Sequence, residues 1–288
     1  MARWTDRIRL DDGRWLAFSE SGHPQGTPVF VFHGLPGSRL QQHPDEGIAT
    51  SLGVRLIGID RPGYGQSDFN PRRRILDWPD TVLALADRLG VGRFRVAGIS
   101  GGAPYALACA SRLPGRLDGT LIISGAGPYD AFRDADRGRP HRLALTLARH
   151  APCLLHLSAS WMARMGCQSP DRYLDRLSRA LAPVDGEILA RAEVRRMFRS
   201  DLPEAFRSGP RGMLHDLSLL ARPWGFGLED IRATVHLWHG EADASVPVGV
   251  ARHLAATLPR CRAHILPADG HFMVLERWRE VLAHWLAA

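Results

Sequence analysis

The sequence predicts an α/β fold: a mostly parallel sheet of eight strands, helices on both faces, and an all-helical insertion. Three observations carry this. Short apolar runs rich in β-branched residues alternate with longer amphipathic stretches, the signature of parallel βα units. The alternation stops between residues 128 and 222, where only helical periodicity is left. One apolar run, ending in Val96-Ala97, breaks at Gly98-Ile99-Ser100-Gly101-Gly102 before a helical run begins, which puts a serine at a strand-to-helix junction.

The elements follow in chain order. Residues 7–10 and 14–19 flank Asp11-Asp12-Gly13, a turn signal, and read as an antiparallel hairpin. Residues 28–32 (PVFVF) and 54–59 (VRLIGI) are buried strands. Apolar positions 82, 83, 85, 86 and 89 predict a helix over 78–89. Residues 94–99 form the next strand, 103–113 the helix after it, and 117–124 (LDGTLIIS) another strand. Residues 234–239 (TVHLWH) and 261–266 (CRAHIL) close the set, each followed by helical sequence.

Residues 1–127 and 223–288 therefore form the core, and 128–222 a helical cap (lid) inserted after the sixth strand. The stretches RLALTLARH, WMARM, RYLDRLSRALA and EILARAEVRRMF in that insertion are amphipathic. Trp161, Met162, Met165 and Phe198 recur at helical spacing and read as the cap's own core rather than as pocket lining.

Composition narrows the partners. A chain of 288 residues that is 45% hydrophobic can bury a full core. A net charge of +7 raises the question of nucleic acid, but all 37 basic residues are arginine, which reads as the codon bias of a GC-rich genome. The arginines are scattered, with Arg72-Arg73-Arg74 the single triplet, and no basic motif is interleaved with aromatics. The insertion alone holds 16 arginines against 11 acidic residues, mostly as a solvated face. No nucleic-acid partner is expected.

The opening MARWTDRIRL carries charge with no apolar stretch behind it, so no secretory signal is read. No run approaches the roughly 18 apolar residues of a membrane span. Cys109, Cys153, Cys167 and Cys261 lie far apart without a C-x-x-C pair, so neither a zinc site nor a disulfide framework is suggested. The expectation is a soluble, cytoplasmic chain acting on a small molecule, with no membrane partner, metal or organic cofactor. Oligomeric state is not encoded in any pattern here.

The G-x-S-x-G pattern is weak alone, since roughly one shuffled chain in six of this composition would contain it. Its context gives it weight. Glycines at 98 and 102 allow a tight turn that presents Ser100, because side chains there would collide with the neighbouring helix and strand. The helix that follows directs its positive end toward a developing oxyanion.

A serine nucleophile needs a base. Of 13 histidines, His236 and His264 lie within strand patterns and His284 within the last helix. His271 differs: it stands in the loop LPADGHFMVLE between the last strand and last helix, at the same carboxyl edge of the sheet as Ser100. Asp243, in WHGEADASVP after the strand at 234–239, is the carboxylate expected to orient it, with Glu241 the nearby alternative. The strand at 28–32 runs into His33-Gly34-Leu35-Pro36-Gly37-Ser38, which places the Leu35 N–H beside that of Gly101 as an oxyanion hole. His33 and Gly34 brace the loop, and Asp60-Arg61-Pro62-Gly63 reads as a structural turn.

The ordered set HGLPGS, DRPGYGQSD, GISGG, HGEAD and DGH resembles the α/β-hydrolase superfamily in its capped, serine-nucleophile form, across residues 6–127 and 223–288. The resemblance implies Ser100 as nucleophile, His271 as base, Asp243 as orienting acid, and Leu35 and Gly101 as oxyanion amides. Dehalogenases and epoxide hydrolases of this fold carry a carboxylate at the elbow. Proline iminopeptidases carry HGGPG and a Trp-containing elbow, and ring-cleaving C–C hydrolases usually have a longer glycine-rich loop. The implied activity is carboxylesterase-like hydrolysis of a small, largely apolar ester through an acyl-enzyme. Two alternatives stand beside it: C–C bond or lyase-like chemistry with the same triad, and a non-catalytic ligand-binding protein of this fold.

Overall fold

Eight strands make one sheet in the order β1-β2-β4-β3-β5-β6-β7-β8. The computed structural model describes residues 4–129, 131, 146–148 and 150–288. The strands are β1 (Trp4–Arg9), β2 (Trp15–Gly22), β3 (Thr27–Phe32), β4 (Val54–Ile59), β5 (Phe94–Ile99), β6 (Leu117–Ile123), β7 (Val235–Gly240) and β8 (Cys261–Leu266). β2 runs antiparallel to both β1 and β4, and every other pair is parallel. The predicted hairpin turns at Gly13, whose φ of 84° is the left-handed geometry that glycine adopts without steric cost.

Helices cover both faces because the strands alternate two apolar sets. Val29, Val31, Leu56, Leu121 and Ile123 face α1 (Gly47–Ser51) and α10 (Val274–Leu286). Phe30, Phe32, Ile57, Val96 and Ile122 face α2 (Trp78–Arg88), α3 (Ala103–Arg112) and α9 (Val248–Thr257). Strands buried on both sides read as continuous apolar runs, as PVFVF and VRLIGI do. In α10, Trp278, Val281, Leu282 and Trp285 are buried, a stripe at the i, i+3, i+4, i+7 spacing of one helix face.

Between β6 and β7 the described residues hold helices and no strand: α4 (Pro152–Gln168), α5 (Pro170–Ser178), α6 (Pro183–Ala190), α7 (Ala192–Ala205) and α8 (Arg211–Leu220). Residues 142–145 and 149 of the RLALTLARH stretch lie outside the described residues. The five-residue helix α1 carries no periodicity that sequence reading could use.

The insertion's apolar residues depart from expectation. Met162 and Phe198 do not simply fill its interior; both line a cavity between insertion and sheet. Trp161 is 49% exposed, with the Arg176 guanidinium 4.7 Å above its ring, and Met165 is half-buried. Helical spacing finds an apolar stripe but does not say whether that stripe meets another helix or an open volume.

Candidate active site

Ser100 stands where β5 ends and α3 begins, with φ at 51°, a strained left-handed conformation for a residue with a side chain. The flanking glycines are required on steric grounds. A Cβ on Gly98 would lie 2.7 Å from Gly102 O and 2.8 Å from Ala103 Cα, and one on Gly102 would strike Phe32 O of β3. The turn is thus tight enough that helix and strand occupy the space a side chain would need.

The loop after β3 lies against this turn. A Cβ on Gly101 would meet the Leu35 Cβ at 2.8 Å and the Leu35 backbone nitrogen at 3.6 Å. The Leu35 N–H has no hydrogen-bond partner among the described residues, whereas the Gly34 N–H donates to Gln41 Oε1 at 2.6 Å. Leu35 therefore has a donor to offer, and Gly34 is spent on holding the loop.

His271 and Asp243 meet across the ends of β7 and β8. The His271 Nδ1 lies 2.7 Å from Asp243 Oδ2; a carboxylate only accepts, so Nδ1 carries the proton and Nε2 is left as the base. Asp243 Oδ1 accepts the Ser245 and Val246 N–H groups, each at 2.8 Å. Burial pushes the Asp243 carboxyl up, but His271 and these donors outweigh it and hold it below its ordinary value. Burial likewise lowers His271, and the Asp243 carboxylate overcomes this and raises the ring above 6.5. Glu241, the alternative acid, instead pairs with Arg252 at 2.5 Å on the surface.

His33 is buried at the start of the loop after β3. Its Nδ1 lies 2.9 Å from Gly34 O, and its Nε2 accepts the Arg61 N–H at 3.3 Å. Burial and the Arg61 charge hold its pKa well below the usual histidine value, so it stays neutral. The Asp60-Arg61 turn is structural in a specific sense. Arg61 bonds the carbonyls of His33 and Gly34 and pairs with Asp216 at 2.9 Å, while Asp60 accepts the Arg39 N–H and pairs with its guanidinium, both at 2.6 Å.

Sequence reading missed a second set of residues, all from the insertion. Asp185 of α6 accepts the backbone N–H groups of His271 at 3.0 Å and Phe272 at 2.7 Å. Asp201 of α7 accepts the Ser38 N–H and hydroxyl at 2.8 and 2.6 Å, and Gln41 Nε2 at 3.2 Å. Asp216 of α8 pairs with Arg61 and Arg73 and accepts the hydroxyls of Tyr64 and Tyr105 at 2.9 and 2.6 Å. Burial raises Asp185 against its two N–H donors, and burial raises Asp201 to about 7. Burial would raise Asp216 too, but Arg73 and Arg61 hold it far below the carboxylate range. Each carboxylate is more than 80 residues from the loop it holds, so no local motif could reveal it.

Ser100, His271 and Leu35 open on one cavity of about 500 Å³. Its far wall is apolar and comes from the insertion: Leu155, Met162, Tyr173, Met197, Phe198 and Met213. Among the described residues the wall carries no arginine.

The alpha/beta hydrolase fold family model matches residues 27–277. A dihydrolipoyllysine-residue acetyltransferase component of the acetoin cleaving system from Pseudomonas putida is 36% identical over 124 residues, which are 42% of this chain and 32% of that protein. For the first such relatives the match spans less than half of their own length. A 2-hydroxymuconate semialdehyde hydrolase from Pseudomonas putida is 22% identical over 91% of this chain and 88% of its own. Among solved structures, an esterase from Exiguobacterium antarcticum superposes with a TM-score of 0.72 at 17% identity, covering 98% of this chain and 99% of that one. That likeness is one of fold. No helix among the described residues is long and apolar enough to cross a membrane.

Proposed function

The chain belongs to the alpha/beta hydrolase fold family, and from that premise we propose that it is a serine hydrolase that cleaves carboxylic esters of small, largely apolar substrates. One arrangement supports the reading above the rest. Ser100 and a histidine whose ring Asp243 holds at 2.7 Å open on the same apolar cavity, with the Leu35 N–H beside the serine's turn.

In this reading Ser100 Oγ attacks the acyl carbonyl as His271 Nε2 takes its proton. Asp243 holds the ring tautomer and stabilises the imidazolium. The N–H groups of Leu35 and Gly101 donate to the tetrahedral oxyanion, and losing one such donor typically costs about 10²–10³ in rate. The intermediate collapses, His271 returns the proton to the departing alkoxide, and the acyl group stays on Ser100. Water then attacks the acyl-enzyme with His271 again as base, and the acid leaves.

The insertion acts as the cap of this site. Its helices close the cavity over Ser100 and present thioether, aromatic and aliphatic side chains, which suit an apolar acyl or alcohol group. With no arginine on the described wall, neutral substrates are favoured over carboxylate-bearing ones.

A second reading rests on the near full-length similarity to a 2-hydroxymuconate semialdehyde hydrolase: C–C bond hydrolysis next to a ketone, with the same three residues. One set of measurements separates the two. The wild type, Ser100→Ala and His271→Ala are treated with a fluorophosphonate probe and assayed on p-nitrophenyl esters of increasing chain length. Fast labelling and ester turnover that both substitutions abolish support the esterase. Labelling with ester turnover no faster than the slow acylation of a bystander serine favours C–C hydrolysis. A folded wild type that does not label at all overturns both.

A further inference from the structure

Away from the cavity, three histidines from three elements converge: His236 of β7, His264 of β8 and His284 of α10. Each offers a ring nitrogen, and these atoms lie within 4.8 Å of one another. The sequence reading treated them as unremarkable members of two strands and a helix. The register of the sheet brings them together. β7 and β8 are parallel with Trp238 beside His264 and His236 beside Arg262. Alternate residues of a strand share a face, so His236 and His264 look toward α10, which covers that face.

The group is packed, and two of its ring nitrogens have no protein partner among the described residues. Trp238 stacks on His264 with ring centroids 4.2 Å apart, and the His264 and His284 rings are 4.6 Å apart. His236 is 4% exposed. Its Nδ1 and the Nε2 of His264 are buried without a hydrogen-bond partner among the described residues, although buried polar atoms in folded proteins are nearly always paired. Two ring nitrogens from adjacent strands with no protein partner, and a third imidazole beside them, make a set of three nitrogen donors.

We propose that His236, His264 and His284 form a binding site for a late first-row divalent cation of the Zn²⁺ type. Imidazole nitrogen suits Zn²⁺, Ni²⁺ and Cu²⁺, and three imidazoles leave a further position for water. Zinc–nitrogen bonds of about 2.0–2.1 Å put ligand nitrogens about 3.3 Å apart in a tetrahedral site. The three nitrogens, within 4.8 Å of one another, must draw closer on binding, and His284 of α10 is the exposed member of the three. Of the nearby cations, Arg262 is exposed and Arg95 Nη1 donates to Trp285 O at 2.7 Å, capping the carbonyl end of α10, and the charges of both act on His236.

The site is separate from the chemistry of Ser100, and the proposal does not depend on the ester-hydrolase reading. His236 stands near the start of β7, four residues and about 13 Å of extended strand before Gly240, and Asp243 lies beyond that far end. A bound ion would tie the last helix to β8, the edge strand of the sheet.

The test uses the full chain stripped of metal by chelation, with Zn²⁺ alone as the probe and Co²⁺ as its spectroscopic substitute. Zn²⁺ is titrated against a chromophoric chelator, and thermal unfolding is followed with and without it. The wild type is expected to take up one equivalent, to unfold at higher temperature when loaded, and to give a Co²⁺ visible spectrum of low-symmetry nitrogen coordination. His284→Ala removes an exposed side chain and gives up only its edge contacts with the other two rings and Trp238, so it should fold. It and His264→Gln should each weaken binding at least tenfold and remove the thermal shift, while His271→Ala binds as the wild type does. The proposal is overturned if the wild type takes up no Zn²⁺, if His284→Ala binds with unchanged affinity, or if His271→Ala is the substitution that removes binding.

Discussion

Asp185 Oδ2 accepts the backbone N–H of His271 at 3.0 Å, so a helix of the insertion holds this histidine by its main chain. Asp243, from the sheet, holds the same residue by its ring at 2.7 Å. The position of Nε2 thus depends on two carboxylates, one from the insertion and one from the sheet. The same division recurs at the Leu35 loop, where Asp201 binds Ser38 and Gln41 while Arg61 holds the His33 and Gly34 carbonyls. The insertion covers the cavity and also braces both loops that border Ser100.

Asp185→Ala removes both acceptors of the His271–Phe272 turn and leaves two backbone N–H groups without their partner. Ester turnover should fall about 10- to 100-fold in kcat with KM little changed, because the base is displaced and the cavity wall is not. Asp185→Asn keeps one acceptor and should recover part of the loss. Steady-state kinetics on a soluble ester checks this, and a loss confined to KM would contradict it.

The pH profile should report His271. Its ring is raised above 6.5 and must be neutral to act as base, so kcat/KM should rise with pH and reach half its plateau above pH 6.5. Asp243→Asn should lower the plateau by about 10⁴. It should also move the acid limb to lower pH, because the charge that raises the ring is gone. An unshifted limb in that variant would show that another group titrates.

Asp201 makes stability depend on pH. Its folded value of about 7 lies above the ordinary 3.8, so the folded state binds the proton more tightly than the unfolded chain does. The stabilisation this represents is full below about pH 4 and is lost as pH rises through 7. Thermal unfolding of the wild type should show a decline between about pH 4 and 7 that is flatter in Asp201→Asn. Parallel curves for the two proteins would rule out this assignment.

Asp216 lies between two buried guanidiniums, and removing it leaves Arg61 and Arg73 without their counter-charge. Asp216→Ala should cost about 3–5 kcal/mol in denaturant unfolding. The exposed pair of Arg199 with Asp171 is the control, and Arg199→Ala should cost under about 1 kcal/mol. Similar losses in both would mean that burial is not what decides the energy.

The cavity wall should set chain-length preference. Met162→Trp fills part of the volume that faces Ser100, so the preferred p-nitrophenyl ester should shift to a shorter acyl chain, read as kcat/KM across the series. An unchanged optimum would place the acyl group elsewhere.

Much of this protein was legible from residue order. The ranges predicted for β4, β5 and β8 coincide with the structure, and the remaining strands differ by one to three residues at their ends. Strands buried on both faces must be apolar throughout, and the glycines around Ser100 are demanded by contacts with β3 and α3 that follow from any such turn. Ser100, Asp243 and His271 could be singled out because each sits in a loop at the carboxyl end of a strand, a position that local sequence marks.

What the tertiary structure alone decided are the relationships that cross the chain. Asp185, Asp201 and Asp216 look like ordinary acidic residues on amphipathic helices. They become buried braces because the insertion folds back over the sheet, where burial makes each unpaired donor or charge costly and each matched one decisive. Met162 and Phe198 share the spacing of a helix core and, besides packing there, line a cavity, and His236, His264 and His284 meet through the β7–β8 register. Periodicity records which side of an element is apolar. What that side meets depends on packing between elements far apart in the chain.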